Sequence, residues 1–412
     1  MKAWFLVLPL SIACNVENTT GDTGGVGPGG QGSCPSGVSV LLSDYASTQI
    51  ALSSLEGETL SRSFMSTGSA KTDGLSFALS GDVTLPSTRP PSGRVVLVDR
   101  FGTNVVTWAD PTSGSVLGQL AVGTGFESNP SDYLELDDTI AAVSRFGQNA
   151  HPGREPFDAG GDLLLVDSQA QAIVGNIPFE ATEGLAPRPT AMMRLGDEIL
   201  VSLVRVSQDF ATTGDSELAF VSASARTVDF RMRYEGLANC GRPMPSPNGD
   251  LLAVACTGTL DTRGVVLDPQ KSGLLLLDAR TMPPAVLKRY SAGELSQEPL
   301  QSGVVFASDT RLLLKTQTAE DGTSNNRWLM LDLESDAVTT LLEASPNAQG
   351  KGRGLLYGAM SCSPGCSDVC LLADADRGVL ARVRIGVMGA EMLDPIVVDA
   401  ASGLPPRDLV ER

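Results

Sequence analysis

Apolar residues along this chain fall in short runs and not in long helical stripes. RVVLVDR (94–100), DLLLVDS (162–168), EILVSLVRV (198–206), LLAVAC (251–256), GLLLLDAR (273–280) and RWLMLDL (327–333) are each bounded by Gly, Asp, Asn, Ser or Pro. Runs of this length with such punctuation predict β-strands, and no stretch carries a long capped 3.6-residue period. Many runs are apolar at every position, the pattern of strands covered on both faces.

The runs repeat. An apolar strand, then Asp or Ser, a short turn and a further strand recur at Ser54, Asp110, Asp167, Ser222, Asp278 and Asp332, with spacings of 56, 57, 55, 56 and 54. A further step of about 55 falls near Ile385, which makes seven units. The Asp and Ser markers are read as caps of the turn that follows a strand. A second rhyme, VDRFGTN (98–104) against VSRFGQN (143–149), marks one strand end in adjacent units.

Each unit holds four candidate strands, and arrays of such units predict an all-β fold, a β-propeller. Seven four-stranded blades fit best, with six or eight still open. The first unit has only three candidate strands before Asp73-Gly74. The ring is therefore expected to close between N- and C-terminal strands, the missing one lying within 394–410 (DPIVVDAASGLPPRDLV).

The chain resembles the seven-bladed, YVTN-like bacterial propellers. Their SPDG-type hairpin is matched by Ser246-Pro247-Asn248-Gly249-Asp250. That family includes surface-layer proteins, dehydrogenase subunits and lactonases, so the resemblance implies the fold and leaves the activity open.

The N-terminal residues read differently. After Met1-Lys2, residues Ala3–Ala13 (AWFLVLPLSIA) are apolar, too short to span a bilayer and of the length of a signal-peptide core. Leu10-Ser11-Ile12-Ala13-Cys14 resembles a bacterial lipobox; Ser11-x-Ala13 would also suit ordinary signal-peptidase cleavage. Residues 15–33, rich in Gly and Thr, read as a flexible tether. The expected organisation is a signal peptide at 1–13, a lipid-anchored tether at 14–37 with Cys14 lipidated, and the propeller at 38–412. This makes the membrane a partner through an N-terminal lipid. It places the protein outside the cytoplasm, in the outer membrane, periplasm or cell surface of a Gram-negative bacterium. The mature region also resembles other lipoproteins that pair a Gly/Thr tether with a propeller.

Seven cysteines sharpen this reading. With Cys14 carrying lipid, six remain, and an exported chain can pair them all. Cys240 and Cys256 flank the 247–250 turn in near-opposite register and are expected to cross-link. By analogy Cys362 pairs with Cys370, leaving Cys366 for Cys34. A C-x3-C-x3-C metal cluster at Cys362, Cys366 and Cys370 is the alternative.

Composition narrows the chemistry. A hydrophobic fraction of 42% supports a large core, and 48 acidic against 30 basic residues give a net charge of −18. Such a chain repels phosphate backbones, so no nucleic-acid partner is expected. His151 is the sole histidine, which excludes clustered-His zinc sites, and no G-x-S-x-G elbow is present. Neither a metal nor an organic cofactor is expected, and no catalytic residue is assigned.

Candidate binding chemistry lies in the links between second and third strands, which share one face. The long ones are 146–161, 206–217, 257–273 and 316–327. In or beside them Arg145, Arg154, Arg205 and Arg263 are placed to receive an anionic small molecule, or a protein partner. Asp158, Asp209, Asp215 and Asp261 are candidate calcium ligands, although none has a calcium-loop spacing. His151 completes this candidate face. The function expected is a binding or scaffold module, and the alternative is a lactonase-like or quinoprotein-like enzyme.

Overall fold

The computed structural model describes residues 33–68, 76–261, 265–316, 327–343, 359–375, 377–387 and 389–412. Cys14, Arg263, Asp73-Gly74 and the proposed signal peptide lie outside the described residues, as does the link 317–326.

Among the described residues there are seven antiparallel sheets of four strands. Strands are lettered A (innermost) to D (outermost). Blade 1 combines Pro406–Glu411 with Val38–Ser43, Thr48–Ser53 and Thr59–Ser66. Blade 2 is Val83–Thr84, Val95–Asp99, Val105–Ala109 and Val116–Ala121. Blade 3 is Pro130–Glu135, Ile140–Gln148, Gly160–Asp167 and Ala172–Pro178. Blade 4 is Pro189–Leu195, Glu198–Leu203, Glu217–Ser222 and Thr227–Arg233. Blade 5 is Met244–Pro245, Leu251–Leu260, Val266–Asp278 and Ala285–Ser291. Blade 6 is Leu300–Ser308, Arg311–Thr316, Arg327–Asp332 and Val338–Glu343. Blade 7 is Met360–Ser361, Val369–Asp374, Val379–Gly386 and Gly389–Ile396.

The B and C strands carry the apolar runs because both of their faces are covered. All residues of Val95–Asp99, Val105–Ala109 and Thr48–Ser53 are buried. The D strands have one face toward solvent, and Ala285–Ser291 buries only Tyr290. One apolar cluster fills each gap between neighbouring blades, from Leu41, Ile50, Val95 and Leu97 between blades 1 and 2 round to Val40, Ala51, Leu371 and Leu380 between blades 7 and 1. Each buried Leu or Val contributes about 1.5–3 kcal/mol, so these clusters bind each blade to its neighbours.

The repeat markers are turn caps. Asp110, Asp167 and Asp332 each accept backbone N–H groups two and three residues on, and Asp278 accepts that of Arg280. Ser54 Oγ accepts from Glu58 N, and Ser222 Oγ from Ala225 N.

The ring closes as expected: Pro406–Glu411 pairs antiparallel with Val38–Ser43, with Val38 opposite Glu411 and Val40 opposite Leu409. One expectation needs correction. The 257–273 link is not a loop, because strands B and C of blade 5 continue through it as a projecting hairpin, with Thr257 opposite Ser272 and Leu260 opposite Val266. Its described residues sit on a paired ladder with register shifts at Thr257/Thr259 and Thr259/Leu260, which the sequence alone does not distinguish from a solvated loop.

Three disulfides join Cys34 to Cys366, Cys240 to Cys256 and Cys362 to Cys370, at separations of 332, 16 and 8 residues. The pairing is the expected one, and it leaves no thiolate for the three-cysteine metal reading. Bonds of this kind persist in an oxidising, extracytoplasmic compartment. Among the described residues no helix is long and apolar enough to cross a membrane.

Candidate functional site

Antiparallel order puts the A–B and C–D turns at one end of the ring and the B–C and D–A links at the other. Cys34 and the A–B turn bearing Cys366 share the first end. Links 149–159 and 204–216 rise from the second.

The sequence-nominated residues in those links are engaged in holding them. Arg145 lies opposite Asp162 in the strand register and is fully buried. Its Nε and Nη2 donate to the two carboxylate oxygens, both at 2.7 Å. Its remaining N–H groups reach the Val122 and Phe157 carbonyls and Thr124 Oγ1. All five donors are therefore used, and none is left for a ligand. Arg205 is also buried, paired with Glu183 at 2.7 Å and Glu217 at 3.0 Å. Hydrogen bonds from Arg205 and Arg233 hold the Glu183 carboxyl down at about 2. The expectation that Arg145 and Arg205 receive an external anion is thus corrected: each already has an internal one.

The acids behave similarly. Asp158 accepts the backbone N–H groups of Gly153, Arg154 and Glu155, which lower its pKa. Asp209 accepts from Ser207 Oγ and Ala211 N and is likewise lowered, chiefly by Ser207. Asp215 accepts from Gly236 N and pairs with Lys271 at 3.3 Å. These are loop staples, and they form no calcium cage; among the described residues no group of three His, Cys, Asp or Glu is placed to hold a metal. His151 and Arg154 are exposed on the 149–159 link.

The concave site is the central channel. A cavity of about 640 Å³ is lined by inner strands or B–C residues of all seven blades, a size that takes a small ligand. Its wall includes Leu85, Val204, Val206, Val304, Val305 and Met360, with Phe146 and Phe210 on the B–C side. Of the nominated residues that are described, Asp261 alone lines it. Phe146 and Phe210 lie nearly parallel with centroids 6.3 Å apart, and the buried Arg188 guanidinium sits over both, at 5.1 and 4.2 Å.

Acidic groups at the inner strands are already satisfied. Asp132 bridges three blades by accepting from Ser87 N and Met192 N as well as its own neighbour Tyr133 N. Burial nonetheless pushes its pKa up to about 6 against those hydrogen bonds. Asp408 ties blade 1 to blade 2 through Leu85 N and Thr84 Oγ1, and burial raises it too. Glu411, raised by burial, accepts from Ser363 Oγ.

Arg242 is the exception in the wall. It is half-buried, and among the described residues its one hydrogen-bonding neighbour is Met244 Sδ at 3.7 Å. Burial draws its pKa down, while Asp132, Glu411 and Asp408 pull it up. Those carboxylates belong to blades 1 and 3, whereas Arg242 belongs to blade 5. Arg242 also lines the central channel. Gly241 permits this placement, because a Cβ there would lie 1.9 Å from the Ser302 carbonyl oxygen of blade 6. On that adjoining strand Gln301 also lines the channel, 7% exposed, with Nε2 lacking a partner.

Sequence reasoning missed Arg242 and Gln301 because it looked for function in long loops. The inner strands of blades 2, 5 and 7 are two residues long, too short for a period-2 signal. A usable signal was present: a charged residue just before the SPNGD hairpin, directly after a glycine.

No family model matches the sequence, and no curated protein sequence does. Solved structures match the fold. A putative 6-phosphogluconolactonase from Bacteroides fragilis has a TM-score of 0.57 at 11% identity, covering 91% of this chain and 97% of that one. The periplasmic gluconolactonase of Pseudomonas aeruginosa gives 0.55 at 13%, covering 90% and 98%. The dihydro-heme d1 dehydrogenase NirN gives 0.50 at 13%, covering 93% and 76%. At such identities the likeness is one of fold.

Proposed function

We propose that this protein is an exported, lipid-anchored binding module that takes a small ligand in the central channel of its propeller. The observation that carries the reading is the cavity of about 640 Å³ to which every blade contributes, beside loops whose charged groups are occupied in holding themselves. Attachment through Cys14 would join the tether to the ring at the Cys34 end. The B–C mouth would then face away from the membrane.

The channel itself can be plugged. Gly303 lines it, and an added Cβ there meets nothing within 4 Å, so Gly303→Trp is the substitution chosen to put an indole into the lumen. Small molecules from a periplasmic extract that bind the native protein in native mass spectrometry should be lost from this variant. Retention of every such ligand would refute the channel reading. Lipidation is checked separately, by a diacylglyceryl Cys14 peptide in the membrane fraction.

A second reading, lactone hydrolysis in the same channel, is favoured by the two lactonase-named structures covered almost whole. It requires glucono-1,5-lactone to open faster with the protein than in buffer, and the Gly303→Trp variant to lose that excess.

A further inference from the structure

We infer that Arg242, with Gln301 beside it, is a subsite for the carboxylate head of a small organic monoanion whose apolar body lies against the channel wall. The inference rests on the channel reading above and names the chemistry of its ligand.

A buried or half-buried guanidinium is ordinarily matched by acceptors, because its five N–H groups are costly to leave without them. Arg145 and Arg205 follow that rule, while Arg188 keeps an unpaired Nε and lies over two aromatic rings. Arg145 has five protein acceptors, and Arg205 has two carboxylates and three further oxygens. Arg242 has a thioether. The nearby carboxylates do not fill the gap, since Asp132 and Asp408 aim their oxygens at backbone N–H groups and Glu411 accepts from Ser363. They balance the charge of Arg242 through space and leave its donors open to the lumen.

Gln301 supplies a second, independent sign. It lines the same cavity from the next inner strand, is more than nine-tenths buried, and has an amide nitrogen with no acceptor among the described residues. Both residues line the one cavity, and Gly241 beside Arg242 abuts Ser302 beside Gln301, so that amide, turned to the lumen, would share a ligand oxygen held by Arg242. A planar carboxylate matches one guanidinium edge and one amide.

One guanidinium matches the charge of one carboxylate, and Asp132, Asp408 and Glu411 already act on Arg242. The rest of the wall, including Leu85, Val304, Val305 and Met360, offers apolar contact to the body of the ligand.

The test uses the intact disulfide-bonded protein, with benzoate as probe and benzamide, its neutral isostere, as control. Calorimetric titration at pH 7 to about 50 mM should show saturable benzoate binding, with benzamide at least about tenfold weaker. Arg242→Gln, verified as folded by circular dichroism, should weaken benzoate by about tenfold or more, Arg242→Lys by less, and Gln301→Ala by a smaller factor. Equal binding of benzoate and benzamide, unchanged binding by Arg242→Gln, or no saturable benzoate binding each overturns the inference. Benzoate binding abolished by Gly303→Trp but indifferent to Arg242→Gln would leave the channel reading standing and remove this one alone. Binding that survives Gly303→Trp would remove both.

Discussion

Arg145 and Arg242 are both enclosed by the ring, but only the first has a carboxylate on the facing strand. Arg145 sits where strand B of blade 3 gives way to the 149–159 link, and Asp162 on strand C answers it in register. Arg242 sits where the blade 5 inner strand begins, and the neighbouring strand offers it Gln301 and glycine-assisted backbone proximity instead. The same side chain is thus a structural fastener in one place and an open donor in the other. What separates them is whether an acceptor has been built on the next strand. Desolvation makes that difference decisive, since an unpaired buried charge costs several kcal/mol while a completed pair at best roughly offsets its own burial.

The largest expected effect falls on the fastener. Arg145→Ala leaves the Asp162 carboxylate buried without its partner and should lower unfolding stability by about 3–5 kcal/mol in urea denaturation. Asn176, which also donates to Asp162, cannot replace a charge. A loss below about 1 kcal/mol would erase the contrast with Arg242. Arg205→Ala should cost less, about 2 kcal/mol, because Glu217 keeps Arg231 and Arg233 within 4 Å.

Asp132 adds a pH axis. Its native pKa of about 6 lies above the ordinary 3.8, so the folded state binds a proton more tightly than the unfolded state. The resulting stability is full below the ordinary value and is lost as pH rises through the native one. Asp132→Asn removes the titration and disturbs three backbone hydrogen bonds. It should therefore be less stable than the native protein throughout, with the gap narrowing from pH 4 to pH 7 in thermal melts. A gap that widens over that range would contradict the burial-raised assignment.

For Arg242→Gln the expected stability loss is about 1 kcal/mol or less, discounted because the group meets channel solvent. It should be smallest near pH 5, where the carboxylates that face it are closest to neutral, and it should grow toward pH 8. Arg154→Ala and His151→Ala, both on the exposed 149–159 link, should stay within about 0.5 kcal/mol of the native protein.

Much of the fold was legible because its cause is repeated. Six turns capped at intervals of about 55 residues leave six chances to see one pattern, and the short first unit pointed to a strand from the other end. Two disulfides were legible because a hairpin turn fixes which residues face each other, and the third followed by elimination. The site was harder to read. Arg145 in VSRFGQN resembles any loop arginine until Asp162, an acid at the head of the apolar run DLLLVD, is placed opposite it. That acid was itself a usable warning, since a carboxylate in a doubly covered strand requires a partner. The channel wall is assembled from short runs contributed by every blade, from 82–87 round to 407–409, and no single local window shows that these runs meet.

The ring closure has a consequence in time. Val38 finds its inner partner Glu411 only after 373 intervening steps of synthesis, which at ribosomal speeds of about 5–20 residues per second is roughly 20–75 s. Throughout that interval the first blade carries an unpaired inner edge, of the kind that recruits other extended chains. A protein built this way depends on being kept from folding, or from meeting a second nascent copy, until its closing strand has arrived. Its hazards are concentrated in the order of its birth and not in the finished ring.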